Sequence, residues 1–514
     1  MQLRSTLPLF ALLAVTTGPL CAQQSESSRR ADSTRESLSS GAAATSATKA
    51  MVGGKAAVAG KATISAKAAV TAKRASAAAA AGRATTPASG GRLVQPRAES
   101  PHFDFIRRTF TDFCYCWNSS RDARAWSAER YDLVMSGDLG DWRRLDPGVT
   151  TLRYALLVST LDEANRDKPS VNGKFLDDMR RWYRQHPQYK MEDAFLHKVA
   201  DGTADSASRL NPHIWSSNRF VGNPTDPGWR AYSIDRLSWI ARQKDVGGIF
   251  LDEIDRGTAA KAYRSSREFQ GADSTVWQSA LVSLIAEIRK AIAPDMLQIN
   301  AAGYSGRDWE KALGAAAGSV HLETLDRATQ ELPSVWDVVD WYVDHDVYAD
   351  FVGLETWSDL ARTSMQKRYP GGDYASPPLR GKMVQLASYY MVVPSDPQRL
   401  GVQMENVRGF MPDSVAMRVM EYDVGHPLGK RTVVMNERDP LGQRARVYRR
   451  DFDHAIVLIR PVAYWADTVM TNETRVEVPL PEGGPWLRLE PDGTTKPLTE
   501  LWLRNSDAVI IVHD

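Results

Sequence analysis

Cysteine, histidine and long apolar runs are all scarce in this chain. There are 3 Cys and 9 His in 514 residues. Cys21 lies near the N-terminus, and a disulfide between Cys114 and Cys116 would close too short a loop to be unstrained. After the first 22 residues, no run is apolar enough to cross a bilayer. A disulfide framework and a cysteine metal cluster are therefore excluded, and we expect no metal and no cofactor.

The N-terminal 22 residues have the features of a secretory signal peptide. Arg4 precedes an apolar stretch over 7–15, and small residues follow near Ala22. Leu20 stands directly before Cys21, where a lipoprotein signal would have a small residue. We therefore expect a secreted or periplasmic protein with no transmembrane segment and no lipid anchor.

Residues 23–100 form a low-complexity segment rich in Ala, Ser, Thr and Gly, a composition typical of a disordered linker. Residues 1–100 carry 13 Lys and Arg against 4 Asp and Glu, and the rest of the chain carries 51 against 58. A solvated linker is the simpler interpretation of this basic tail. The alternative is a tether to an anionic polymer of the cell envelope or to a nucleic acid.

The most informative motif is the run 247–253, in which an apolar segment ends on Asp252 and Glu253. A short apolar run bounded by glycines is typical of a strand that is covered on both faces. Asp226 and Pro227 begin a predicted helix before it, and a second helical pattern follows it, up to Pro294. Helix, buried strand and helix indicate a parallel sheet, in which acids at a strand's carboxyl end face the catalytic side.

Similar units repeat over residues 101–410, a region rich in aromatic residues. Short apolar runs that end in polar residues are predicted as strands at 131–136, 154–158, 194–196, 248–251, 296–299, 320–322, 351–354 and 400–404. Helical stretches separate most of them. Eight strand–helix units in about 300 residues predict an α/β fold, a (β/α)8 TIM barrel.

The pattern changes over residues 411–514. Apolar or alternating runs at 455–459, 474–478, 486–489 and 508–512 are separated by turn clusters such as 481–484. Such spacing predicts a small antiparallel β-sandwich domain. We expect this domain to dock on the barrel.

Acids at predicted strand ends, with few histidines, favour carboxylate chemistry. Glycoside hydrolysis needs one pair of carboxyl groups, and the residues alone leave four candidates open, namely Asp252, Glu253, Glu323 and Glu355. Because side chains alternate along a strand, we expect Asp252 to point inward and Glu253 to support it. The remaining predicted substrate-binding residues are His197, Asn300 and Asp138 at strand ends, and Trp357 as a surface on which a sugar could stack.

Four segments resemble glycoside hydrolase-like family 15, which is related to the polygalactosaminidase-type barrels. They are Asn223–Tyr232, Gly248–Glu253, Asp423–Gly429 and Tyr448–Leu458. His454 and Ala455 stand where the family has Asn-Gly, a change that we expect to affect only a turn. The resemblance covers residues 101–514.

The resemblance implies a barrel with a C-terminal β domain, and it points to Asp252 on the fourth strand as the leading catalytic residue. It implies a second acid on a later strand, for which Glu323 fits best and Glu355 competes. We therefore expect a monomeric glycosidase acting on a polysaccharide. The alternatives are a non-catalytic carbohydrate-binding barrel and a metal-assisted deacetylase using Asp252, Asp255 and a histidine.

Overall fold

The computed structural model describes residues 105–111, 128–136, 139–161, 174–199, 204–211, 219–254, 262–300, 308–322, 332–352, 377–403, 418–442, 444–461, 474–505 and 507–513. The predicted signal peptide, the linker and the two cysteines of the body lie outside these ranges. In the described part of the chain, no helix has both the length and the apolar composition needed to cross a bilayer.

Strands are numbered along the chain as β1 (Arg107–Thr111), β2 (Leu133–Met135), β3 (Thr150–Leu156), β4 (Ser159–Leu161), β5 (Lys174–Phe175), β6 (Arg219–Val221), β7 (Gly248–Asp252), β8 (Met296–Asn300), β9 (Ser319–Leu322), β10 (Tyr348–Val352), β11 (Leu400–Gln403), β12 (Thr432–Arg438), β13 (Arg444–Asp451), β14 (Ala455–Arg460), β15 (Val476–Glu477), β16 (Trp486–Leu489), β17 (Thr495–Leu498), β18 (Trp502–Leu503) and β19 (Asp507–His513). The helices are α1 (Leu139–Leu145), α2 (Leu176–Gln185), α3 (Pro227–Ala241), α4 (Ser274–Ile292), α5 (Asp308–Ala317), α6 (Leu332–Asp344) and α7 (Pro377–Val392). Short 3-10 helices span Glu192–Ala194, Pro397–Arg399 and Arg418–Glu421.

Eight parallel strands close into a barrel in the order β1-β11-β10-β9-β8-β7-β3-β2. Every neighbouring pair is parallel, and the ring closes because β1 pairs with both β11 and β2. The predicted (β/α)8 TIM barrel is confirmed. Its fourth to eighth strands are β7 to β11, as the sequence pattern predicts.

One predicted barrel strand is wrong, and one barrel strand was not predicted. The run 194–196 is not a strand of the barrel, because Ala194 is the last residue of a 3-10 helix and Phe195 makes an isolated bridge to Gly222. The first barrel strand is instead β1, whose sequence Arg-Arg-Thr-Phe-Thr has no apolar run. One strand was missed and one was added, so the numbering of the later strands is unaffected.

Alternation along the barrel strands separates an inner from an outer face. Leu152, Leu156 and Phe250 belong to a small apolar cluster inside the barrel, together with Leu133, Met135 and Tyr154. Ile249 and Leu251, the intervening residues of β7, belong to the larger core that includes the surrounding helices. The side chain of Asp252 therefore continues the inner face, as predicted from the two-residue period of a strand.

The connection from β3 to β7 carries a separate three-stranded sheet of order β5-β4-β6. It starts at the carboxyl end of β3 and therefore lies on the catalytic side of the barrel. Gly222, directly after β6, packs so close to the Trp229 indole that a Cβ atom there would lie 2.0 Å from its Cζ2. This contact fixes β6 against the start of α3.

The two helices that flank β7 begin as predicted. The Asp226 side chain accepts a hydrogen bond from the Trp229 backbone N–H at 2.6 Å, with Pro227 in the first turn. The pattern predicts Val276 on the buried face of α4, but Val276 is 47% exposed and Trp277 is buried instead. The bulky indole takes the inner position at the start of this helix.

The C-terminal region contains an antiparallel sheet of order β12-β13-β14-β19-β16-β17 and a two-stranded sheet of β15 and β18. All six residues of β14 are buried. Val457 and Ile459 belong to the same core as the barrel helices, whereas Ile456 and Leu458 belong to a second core shared with β15 and β18. The residues that resemble family 15 at 448–458 form the β13–β14 hairpin, with Asp453 and His454 in its turn.

This β domain docks on the barrel through α6 and α7. The rings of Trp336 and Tyr448 meet edge to face at 5.1 Å. The Arg450 side chain donates to the Tyr390 carbonyl at 2.8 Å. Arg431 donates to carboxylates of α6, at 2.7 Å for Asp340. Barrel and β domain thus form one compact unit with a continuous core.

Candidate active site

Asp252 ends β7 with its carboxylate held by three donors. Oδ2 accepts from the Tyr154 hydroxyl at 2.8 Å, and Oδ1 accepts from the Asn300 amide at 2.9 Å. The backbone N–H of Glu253 also donates to Oδ1, at 2.8 Å. Tyr154 reaches the site from β3 and Asn300 from β8, the two strands that pair with β7. Three neighbouring strands therefore orient one carboxylate.

Opposing effects set the pKa of Asp252. Burial raises the pKa above its usual range, because a charge is less well solvated there. Hydrogen bonds from Tyr154 and Asn300, and the positive charges of Arg219 and His321, act to lower it. The carboxylate thus sits in a polar pocket at the edge of an apolar barrel, an environment common to catalytic acids.

Glu253 turns away from Asp252 and supports the site from behind. Its backbone φ is 62°, in the left-handed region, and the residue is 9% exposed. One carboxylate oxygen forms an ion pair with Arg219, and the other accepts from the Ser159 hydroxyl at 3.4 Å. The role of Glu253 in supporting Asp252 and its contact with a substrate both stay predictions.

Arg219 lies on β6 of the small sheet and is the main cation of the site. Its charge acts on both Tyr154 and Asp252, and burial lowers the pKa of its guanidinium. Through Glu253 it connects the small sheet to the end of β7. Neither Arg219 nor Tyr154 was among the site residues predicted from the sequence. The period of β3 would have placed Tyr154 on the inner face, but no local signal marks Arg219.

His197 is not at the end of a barrel strand, so its predicted placement is wrong. It lies in the connection between β3 and β7, where Nδ1 contacts Glu268 at 2.6 Å and Nε2 contacts Glu192 at 3.1 Å. Arg209 also binds Glu192. With both ring nitrogens engaged and 1% of the residue exposed, His197 has the surroundings of a structural histidine.

Of the other predicted site residues, Asn300 ends β8 as expected, is 4% exposed and turns its amide toward Asp252. Asp138, Glu323, Glu355 and Trp357 lie outside the described residues, as does Asp255. In the chain, Glu323 directly follows Leu322, the last residue of β9. Within the described ranges, no group of three or more His, Cys, Asp or Glu side chains is arranged to hold a metal ion.

Several solved structures are similar to this chain at a low level. An alpha-amylase from Geobacillus thermoleovorans, complexed with acarbose, is 10% identical with a TM-score of 0.42, over 79% of this chain and 98% of that one. A GH36 alpha-galactosidase variant from Geobacillus stearothermophilus, in complex with stachyose, is 12% identical with a TM-score of 0.41, over 82% and 57%. A cycloisomaltooligosaccharide glucanotransferase from Paenibacillus sp. is 7% identical with a TM-score of 0.46, over 79% and 85%.

Similarity at this level carries no argument about activity, and the barrel is assigned from its own strand pairing. No protein-family model matches the chain, and no curated protein matches it in sequence. The resemblance to glycoside hydrolase-like family 15 therefore stays a prediction.

Proposed function

We propose that this protein is an exported glycoside hydrolase, similar to glycoside hydrolase-like family 15, that cleaves a polysaccharide with Asp252 and Glu323. The observation that carries the proposal is the Asp252 carboxylate, fixed at the carboxyl end of the fourth strand by Tyr154 and Asn300. Chemistry in TIM barrels takes place at this end. A pair of carboxyl groups is the minimum that glycoside hydrolysis requires.

The donors around Asp252 act against the effect of burial on its pKa and favour the ionised form for the reaction. The Asn300 amide and the Glu253 backbone N–H both donate to Oδ1, and an ionised carboxylate is the stronger acceptor. Asp252 then serves as the nucleophile or activates water, depending on its distance from its partner. Glu323 is the general acid that protonates the leaving oxygen.

The phase of the barrel strands favours Glu323 over Glu355 as the partner. On β9, Ser319 and His321 are the alternate residues to the outward Val320 and Leu322. A two-residue period continued past β9 would bring position 323 to the inner face. On β10, Tyr348 packs on the inner cluster and Asp350 shares its face, so the same period continued past that strand would pass over 355.

The remaining assignments belong to the same proposal. Asn300, Asp138 and Trp357 contact the sugar, and Glu253 contributes through its support of the site. The protein acts as a monomer outside the cytoplasm. The basic segment at 23–100 binds an anionic polymer of the envelope.

The test is a screen of the purified protein on bacterial and plant polysaccharides, followed by isosteric variants assayed on the polysaccharide that is hydrolysed. Asp252→Asn and Glu323→Gln should each reduce kcat by about 10³-fold or more, because each removes a group that acts in the transition state. Glu355→Gln should mainly raise KM. Glu437→Gln, at an exposed position of β12, is the matched control and should leave both constants unchanged.

Three outcomes would contradict the proposal in different ways. An active Glu323→Gln beside an inactive Glu355→Gln would move the partner to the seventh strand. Polysaccharide binding without hydrolysis would indicate a carbohydrate-binding barrel. Release of acetate that is lost in chelator would indicate a metal-assisted deacetylase.

A further inference from the structure

Four polar side chains form a row across the inner face of the barrel, next to the candidate active site. Asp252 on β7 accepts from Asn300 on β8, and Asn300 is in register with His321 on β9. His321 is in turn in register with Asp350 on β10. The row therefore passes from carboxylate to amide, to imidazole and to a second carboxylate over four adjacent strands.

His321 and Asp350 form the buried end of this row. Both side chains are 0% exposed, and Nδ1 of His321 lies 2.5 Å from Oδ1 of Asp350. The edge of the imidazole also contacts the Phe250 ring, with centroids 5.3 Å apart. A carboxylate buried at this depth is strongly destabilised unless it has a cationic or hydrogen-bonding partner. The contact with Nδ1 of His321 supplies that partner to Oδ1 of Asp350.

The charge of His321 should affect the ionisation of Asp252 more strongly than the charge of Asp350 does. Among the described residues, the acids whose charges meet His321 are Asp252 on β7 and Asp350 on β10, and the described part of β8 contributes the neutral side chains of Asn300 and Gln298. Tyr348 lies two residues before Asp350, and Arg107 approaches the Tyr348 ring at 4.8 Å. Within the row, His321 stands between the two carboxylates, so a charge on it acts on Asp252 at shorter range than that of Asp350.

We propose that His321 is a positively charged positioning residue, anchored by Asp350, that keeps Asp252 ionised and oriented for the reaction. The inference rests on the proposed function only in naming Asp252 as the reacting carboxylate. His321 touches no substrate in this role. It acts through Asp252 and the neighbouring Asn300.

Its effect can be measured without any substrate. In full-length protein labelled with 13C at the aspartate carboxyl carbon, the Asp252 resonance is identified by its loss in Asp252→Asn. In His321→Gln, the midpoint of the Asp252 titration should move upward by about 1 pH unit, a tenfold change in proton affinity. A folded His321→Gln protein with an unchanged Asp252 titration would overturn the proposal.

The anchor is tested by Asp350→Asn, and the direction of the shift is decisive. If Asp350 maintains the charge on His321, its loss leaves a neutral imidazole, and the Asp252 midpoint moves upward as in His321→Gln. A downward shift would mean that His321 keeps its charge alone and would overturn the anchoring role. His345→Gln is the control and should change nothing, because His345 directly follows the outer helix α6 and stacks on Trp341 of that helix with ring centroids 4.0 Å apart.

If neither barrel variant folds, 15N-histidine spectra of the unmodified protein decide the question, with His321 identified by its contact to the Phe250 ring. A neutral His321 at a pH where Asp252 is ionised would overturn the proposal.

On a hydrolysed polysaccharide, His321→Gln should shift the acid limb of kcat upward and leave KM unchanged, which a purely structural role would not do. Shifted titrations in a protein that hydrolyses no polysaccharide would reject the proposed function and leave this inference standing.

Discussion

At the scale of single residues, the site depends on how Asp252 is held. Its two oxygens receive hydrogen bonds from β3, β8 and its own chain, so the carboxylate has one orientation. Burial raises its pKa, and the hydrogen bonds from Tyr154 and Asn300 lower it. Removing a donor should therefore be visible first in the pH dependence of activity.

Tyr154→Phe removes the hydroxyl that donates to Oδ2 of Asp252 and keeps the ring that stacks near Phe250. A hydrogen bond to a charged group contributes about 1.5–3 kcal/mol, so the Asp252 pKa should rise by about 1–2 units. Because the ionised form is the active one, the acid limb of kcat/KM should move to higher pH by the same amount. Activity well above this limb should change little.

Tyr348→Phe is the control, since this hydroxyl also lies inside the barrel but on β10, away from Asp252. If Tyr154→Phe lowers activity equally at all pH values, the hydroxyl acts on the substrate and not on the charge of Asp252.

Asp252 and Asn300 could be predicted from the sequence because each directly ends an apolar strand. The contact of Tyr154 with Asp252 and the position of Arg219 could not be predicted, because both arise only in the tertiary fold. Tyr154 meets Asp252 across 98 positions of sequence, and Arg219 arrives on a strand outside the barrel. His197 follows three apolar residues whose pattern is typical of a strand. Its contacts with Glu192 and Glu268 are visible only in the folded structure.

At the scale of elements, the junction between β6 and α3 positions Arg219. Gly222→Ala would place a methyl group against the Trp229 indole, which is 1% exposed and has no room to move. Overpacking of this kind costs about 1–3 kcal/mol. We expect a lower midpoint in urea denaturation, together with a lower kcat, as β6 and Arg219 shift.

Gly429→Ala provides the comparison, since nothing lies within 4 Å of the added Cβ atom. Equal stability of the two alanine variants would show that the indole adjusts and that this junction is not rigid.

Burial of a strand on both faces decides whether it can be recognised from the sequence. β7 and β8 are covered on both faces and read as apolar runs. The strand β1 could not be recognised from its sequence, because it has no apolar run. Its Arg108 is nevertheless buried, and the backbone N–H of Arg108 donates to the Asp132 side chain. β12 was also missed, since six of its seven residues are exposed. Strands at the edge of a sheet, or with polar faces, lack the pattern that identifies buried ones.

At the scale of the whole molecule, β14 and β19 join two cores, since the sheet packs on α7 by one face and on the β15–β18 sheet by the other. The barrel and the β domain should therefore unfold in a single transition. Ile510→Ala, at a position 0% exposed in the shared core, should lower stability by about 2–5 kcal/mol and move that whole transition in calorimetry.

Val434→Ala, at a position 41% exposed on β12, should leave the transition where it is. Two calorimetric peaks, of which Ile510→Ala moves only one, would show that the domains unfold independently.

The connection after β3 and the segment after β7 are joined at the mouth of the barrel. His197 binds Glu268, Lys198 bridges to Ser266, and Arg219 binds Glu253. For protein engineering, these two stretches are one exchangeable module. Grafting one stretch alone into another barrel would transfer only one partner of each ion pair, whereas grafting both together would transfer both partners.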